Sequence, residues 1–120
     1  MPSKRDDSLV FEQGAVFRKS WSFLGLDLTG AVGHMQVRDA AGVLQLDVTY
    51  PPVDGSGITI DVETTESGEP ISIVTAVAQS ALTTPMTPGH VVFDVKLLDA
   101  SDEDERLVEG NALVTAQVTV

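Results

Sequence analysis

The chain has 120 residues, no cysteine, and a formal net charge of −11 from 7 basic and 18 acidic side chains. A chain of this length can bury one core without disulfides or metal ions to hold it, and the missing cysteines exclude thiol nucleophiles and cysteine-based zinc sites. The acidic balance argues against nucleic-acid and anionic-membrane partners, because phosphate groups repel such a surface.

The first eight residues are polar and carry no apolar core of a signal peptide. We therefore expect residues 1–8 to form a flexible N-terminal arm, followed by a single domain over residues 9–120. No apolar run is long enough to cross a bilayer, and the expectation is a chain made in the cytoplasm.

The first apolar segment, LVFEQGAVFRKSWSFL, is interrupted by the tripeptide EQG at 12–14. Gly14 predicts a kink or bulge that lets a short strand over Leu9–Glu12 leave one sheet while residues 15–24 run in the other. Glu12 and Gln13 would then lie at a sheet edge, where polar side chains discourage unwanted strand pairing.

The aromatic side chains of this segment fall at odd-numbered positions, so in a strand they would all point to the same face. Lys19 is the one polar residue among these odd positions between Ala15 and Phe23. The aromatics predicted to centre the core are Phe17, Trp21 and Phe23, together with Phe93.

Beyond residue 30, most apolar runs alternate with polar side chains, as in strands with one buried face and one solvated face. The apolar positions are Met35 and Val37; Leu44, Leu46, Val48 and Tyr50; Ile58, Ile60 and Val62; Val91, Phe93, Val95 and Leu97; and every second residue from 108 to 120. Short turn signals separate these runs. The pattern predicts an all-β, antiparallel, immunoglobulin-like β-sandwich of about seven to nine strands.

One segment fits both a strand and a helix. Ile71, Ile73 and Thr75 suit a strand, whereas Val74 and Val77 begin a helical spacing. We predict a strand over about 71–75 and then one short helical turn near residues 76–84, ending before the proline at 85.

The candidate sites for chemistry are weak. His34 and His90 have no carboxylate at metal-ligand spacing. The run DASDEDE at 99–105 lacks the spacing of a calcium loop; a solvated hairpin tip is favoured, with a looser cation site left open. The glycines at 55 and 57 are not followed by the Lys-Ser/Thr of a phosphate loop. We expect no enzyme, no catalytic residues, no cofactor and no metal.

Several short segments carry a family resemblance by their order and spacing: FEQGA at 11–15, DLTG at 27–30, MQVR at 35–38, GITI at 57–60, PG at 88–89, FD at 93–94 and LVEG at 107–110. In this order they resemble a group of small bacteriophage virion proteins, and look like the N-terminal β-sandwich of siphophage upper-baseplate proteins, which anchors a receptor-binding apparatus to the tail. The resemblance covers residues 10 to about 115. It implies a virion structural role without catalysis.

The sequence departs from the family in two places. HVVF precedes Asp94, where the family usually has a tyrosine. No coiled coil or receptor-binding domain follows Val120, so the expectation is that a fibre partner would be a separate polypeptide.

Three functions remain open at this point. The first is a tail or baseplate adaptor, the second a capsid decoration (cement) protein, and the third a cellular immunoglobulin-like binding module. The third lacks an exposed aromatic platform, because Trp21 and Tyr50 have core parity. In both virion functions the chain would be located in the virion, as a symmetric homo-oligomer bound to tail, baseplate or major capsid protein.

The interface with those virion proteins is predicted at sheet edges and the N-terminal arm, which can span about 26 Å when extended. Removing residues 2–7 is expected to spare the melting temperature but to weaken incorporation into particles. The predicted interface residues are Lys4, Arg5, Leu9, Val10, Phe11 and Glu12.

Overall fold

The computed structural model describes residues 4–98 and 104–116. Within these ranges it contains nine strands and one short helix. The strands are β1 Lys4–Arg5, β2 Leu9–Glu12, β3 Phe17–Leu24, β4 Val32–Asp39, β5 Leu44–Thr49, β6 Gly57–Thr64, β7 Pro70–Ala78, β8 Gly89–Leu98 and β9 Asp104–Thr115, and the helix α1 is Ser80–Thr83.

The strands form two sheets packed around one core. The six-stranded sheet has the order β1-β9-β8-β4-β5, with β2 also paired to β9, and the three-stranded sheet has the order β3-β7-β6. If β3 to β9 are matched in order to strands B, C, C′, D, E, F and G of an immunoglobulin domain, the sheets contain G-F-C-C′ and B-E-D, which is the immunoglobulin-like arrangement. The predicted all-β sandwich is confirmed.

The pairing at the N-terminus departs from the antiparallel prediction. Both β1 and β2 run parallel to β9, whereas the other strand pairs are antiparallel. Parallel neighbours need a long connection, and here nearly the whole chain lies between β2 and β9. The first strands can therefore run alongside the last one without a hairpin.

The EQG tripeptide marks the change of sheet, as predicted. β2 belongs to the six-stranded sheet and β3 to the three-stranded sheet. A tight turn makes the change, with the Ala15 N–H donating to the Glu12 carbonyl at 3.0 Å and Gly14 at a φ of 80°. The Thr83 hydroxyl of α1 donates to the Ala15 carbonyl at 2.7 Å, so the helix holds the turn in place.

Two aromatic pairs lie in the core. Phe11 stacks on Phe17 with ring centroids 4.2 Å apart, and Trp21 stacks on Phe93 at 6.2 Å. All four predicted aromatics are buried. Phe11, which was predicted as an interface residue, joins them.

Four residues predicted on core stripes are exposed, namely Leu44, Tyr50, Val62 and Ala116. Leu44 is the first residue of β5, and Ala116 follows the end of β9. Tyr50 is exposed because β5 ends at Thr49 and the chain turns away there. Val62 is exposed because it lies towards the far end of β6, which is an edge strand.

The ambiguous segment is more strand than helix. β7 continues to Ala78, because Ala76 and Ala78 stay on the buried face of the strand and Ala78 pairs with Phe17. The helical turn shrinks to the four residues of α1 and ends before Pro85.

Candidate interaction surface

Residues 4–8 lie against the edge of β9. Lys4 pairs with Val108 and Arg5 with Glu109, and the Asp6 N–H donates to the Glu109 carbonyl at 2.9 Å. The free edge of β9 offers backbone groups that need partners, and the arm supplies them. This differs from the flexible arm expected over residues 1–8, of which residues 1–3 lie outside the described residues.

Asp6 connects this arm to the opposite sheet. The Trp21 indole N–H donates to Asp6 Oδ2 at 3.0 Å, the Ser8 N–H donates to Oδ1 at 2.9 Å, and Lys19 Nζ lies 3.8 Å from Oδ2. Burial acts to raise the pKa of Asp6, but the hydrogen bonds from Ser8 and Trp21 and the charge of Lys19 outweigh it and hold the pKa below 3.8. The expectation that removing residues 2–7 spares the melting temperature overlooked these contacts.

Replacing Asp6 with asparagine should destabilise the protein in a pH-dependent way. The pKa of Asp6 is lower in the folded state than its unfolded value of 3.8. The ionised carboxylate therefore stabilises the fold at pH values above 3.8, and this stabilisation is lost as the pH falls through the folded-state pKa. We expect Asp6→Asn to lower the free energy of unfolding by about 1–2 kcal/mol at neutral pH. Urea denaturation of the wild type and of Asp6→Asn over a series of pH values measures this difference in the free energy of unfolding.

The deficit caused by Asp6→Asn should shrink below pH 3.8, where the carboxyl of the wild-type chain also becomes protonated. Asp61→Asn is the matched control, because Asp61 is exposed on β6. It should leave the pH profile of the wild type unchanged. A deficit of the same size in acid and at neutral pH would show that the charge of Asp6 contributes nothing.

The predicted interface residues divide by strand parity. Leu9 and Phe11 are 4% and 0% exposed, so they contact the core, and their prediction as interface residues is wrong. Alternate side chains of a strand point to opposite faces, which leaves Val10 and Glu12 of β2 outside. Lys4 is engaged within the molecule, since its Nζ donates to the Ser22 carbonyl at 2.7 Å and lies over the Phe23 ring.

Three arginines meet on the outer side of the six-stranded sheet. Strand register brings two of them together, since Arg38 lies opposite Val92, Val92 opposite Asn111, and Arg5 opposite Glu109. The third, Arg106, contacts Glu109. They surround an open concavity of about 200 Å³, which we call the arginine face. It is lined by Arg5, Gln36, Arg38, Val92, Phe93, Asp94, Arg106, Glu109, Gly110 and Asn111.

The three guanidinium groups of the arginine face differ in their partners. Arg106 is 3.0 Å from Glu109 and 3.6 Å from Asp94, and Arg5 is 3.0 Å from Asp7. Arg38 instead donates to two neutral acceptors, the Gly42 carbonyl at 3.1 Å and Gln36 Oε1 at 3.2 Å. In the part of the chain that is described, Arg38 therefore has no carboxylate in contact.

Exposed aliphatic side chains adjoin the arginine face. Val10, Val92 and Leu113 are 48%, 51% and 38% exposed. Val10 lies opposite Leu113 across the β2–β9 pair, and Val92 lies one outward position further along the sheet, opposite Asn111. Single exposed valines are ordinary on protein surfaces, but here three exposed aliphatic side chains lie close to arginine, which is enriched at protein interfaces.

Val92, Leu113 and Arg38 were missed as surface candidates. A signal existed in the sequence, because Val92 and Leu113 occupy positions of β8 and β9 where the alternation calls for polar side chains. Their grouping with Arg38 depends on strand order and register, which the sequence pattern does not contain.

No described residues form a group of three or more His, Asp or Glu able to hold a metal ion. His34 is half-buried on β4, and His90 is exposed on β8 opposite Leu113. Residues 99–103 of the acidic run lie outside the described residues, so a cation site there stays a prediction. In the same described ranges, no helix has the length and apolarity to cross a membrane.

No protein-family model matches this sequence, and no curated protein matches it either. The resemblance of its short segments to virion proteins therefore supports a proposal and does not establish a family.

Proposed function

We propose that this chain is a non-enzymatic structural protein of a bacteriophage virion, a tail or baseplate adaptor that links the tail to receptor-binding fibres. The observation that carries an assembly role is the arginine face with its aliphatic neighbours Val10, Val92 and Leu113. Arginine is enriched among the residues that dominate the energetics of protein interfaces, and the contacts around such residues exclude water from them. The virion setting is supported by the segments FEQGA, DLTG and MQVR.

The structure favours a sheet face over a sheet edge as the contact. β1 and β2 already cover the edge of β9. On the three-stranded sheet, the edge strand β3 carries Lys19 on its inward side, and Lys4 binds the Ser22 carbonyl; inward charges and lysines protect edge strands from pairing. Two of the four sheet edges are therefore covered or protected, which favours the outer face of the six-stranded sheet, with its arginine face, as the contact.

Immunogold labelling of an epitope-tagged chain on purified particles tests this function. An adaptor should label one end of the tail. Label distributed over the head would contradict the adaptor function and support the alternative, a capsid decoration protein. Absence of the chain from purified particles would contradict both virion functions and favour the third function, a cellular binding module.

A further inference from the structure

We propose that the arginine face binds an acidic, extended segment of a partner protein, with one carboxylate of that segment held by Arg38. This inference rests on the proposed assembly role and names the chemistry of the partner. It is carried by the charge, the size and the strand geometry of the arginine face.

The arginine face is much less acidic than the molecule as a whole. Its three arginines are balanced by Asp94 and Glu109 of the lining and by Asp7, which is paired with Arg5, whereas the whole chain carries −11. Exposed charges act over roughly 8 Å at physiological salt, so a partner side chain beside Arg38 responds mainly to that guanidinium group. Among the described residues, Arg38 is the arginine of this face without a carboxylate at contact distance, because its hydrogen bonds go to neutral oxygens.

The guanidinium group of Arg38 also determines which kind of anionic group of the partner it binds. Its planar fork of donors matches a carboxylate through two parallel hydrogen bonds. A concavity of about 200 Å³ is below the roughly 300–1,000 Å³ of small-molecule sites. It accommodates one acidic side chain of a partner and not a separate ligand.

The aliphatic neighbours set the pattern of the partner segment. Asn111 and Leu113 are two residues apart on β9. Across the sheet, Asn111 lies level with Val92 and Arg38, and Leu113 lies level with Val10. Two strand residues span about 6.8 Å, which is also the spacing of same-side side chains in an extended peptide. A segment with Glu-x-Val, lying over β8 between β4 and β9, would place the carboxylate near Arg38 and the valine near Leu113.

Titration of ¹⁵N-labelled protein with two blocked heptapeptides, TETVTVT and its glutamine analogue TQTVTVT, tests the proposal. We expect the glutamate peptide to shift the amide resonances of Val92, Asn111 and Leu113 and to bind about tenfold more tightly than the glutamine peptide. Equal binding of the two peptides, or shifts confined to the three-stranded sheet, would overturn the proposal.

Matched variants assign the effect to Arg38. Arg38→Gln should abolish the preference for the glutamate peptide, whereas Arg18→Gln should keep it, because Arg18 is exposed on β3 of the other sheet. Both side chains are exposed, so both variants should melt like the wild type. A preference that survives Arg38→Gln, or that Arg18→Gln removes equally, would count against the arginine face.

Particle assays separate this inference from the proposed function. A glutamate preference that depends on Arg38, in a chain absent from purified particles, would support the binding surface and refute the virion role. Incorporation of Arg38→Glu at the wild-type level would refute the surface and preserve the virion role.

Discussion

Replacing Gly110 with alanine should displace the N-terminal arm from β9 and lower the free energy of unfolding by about 2–3 kcal/mol. Gly110 is buried, and a Cβ added to it would collide with the backbone carbonyl of Asp6 and approach Asp7 Oδ1 at 3.1 Å. Backbone atoms cannot move aside as a flexible side chain does. The arm would therefore have to give up its hydrogen bonds to β9 and the contact between Asp6 and Trp21.

The need for glycine follows from the register of the arm. Lys4 pairs with Val108, but Leu9 pairs with Ala112, so over this interval the arm contains one residue more than β9. An extra residue in one strand makes a bulge. The Asp6 carbonyl of this bulge occupies the space that a side chain at position 110 would fill, so the position requires glycine.

Hydrogen exchange and urea denaturation measure the effect of Gly110→Ala. The Asp6 amide, bonded to the Glu109 carbonyl in the wild type, should lose protection. In a chain that lacks residues 2–8, the same substitution should be neutral or stabilising by about 0.5–1 kcal/mol, because alanine suits a strand interior better than glycine. An equal loss of stability in both chains would show that the arm is not the cause.

Strand periodicity predicted those features that depend on near neighbours in sequence. Alternation of side chains is a property of each strand by itself, so the buried faces of β4 and β8 and the parity of Phe17, Trp21 and Phe23 followed from the pattern. The change of sheet at Gly14 followed as well, because polar residues interrupt an apolar run there.

Features that join distant parts of the chain were not predictable in this way. The Asn111 N–H donates to Asp7 Oδ1 across 104 positions at 2.9 Å, and this bond, with the hydrogen bond and the charge of Arg5, lowers the pKa of the Asp7 carboxyl. A polar terminus without apolar residues was interpreted as flexible because such backbone contacts leave no trace in hydropathy. The arginine face was missed for the same reason, since it requires the order β1-β9-β8-β4.

Replacing Phe11 with alanine should cost about 3–5 kcal/mol of stability, whereas Val10→Ala, one residue away, should stay within about 0.5 kcal/mol. Phe11 is completely buried, and its ring stacks on Phe17 at 4.2 Å. The substitution would leave a cavity at the point where β2 and β3 separate into two sheets. Since the free energy of unfolding of such domains is only about 5–15 kcal/mol, the substitution would remove much of the stability of the fold.

Urea denaturation measures both changes, and particle incorporation then separates core from surface. Phe11→Ala should reduce incorporation through unfolding, so lowering the temperature should restore part of it. Val10→Ala should leave the fold intact, and any loss of incorporation should persist at low temperature because a contact is missing. If Val10→Ala destabilised the chain as much as Phe11→Ala, the assignment of these neighbouring side chains to opposite faces of β2 would be wrong.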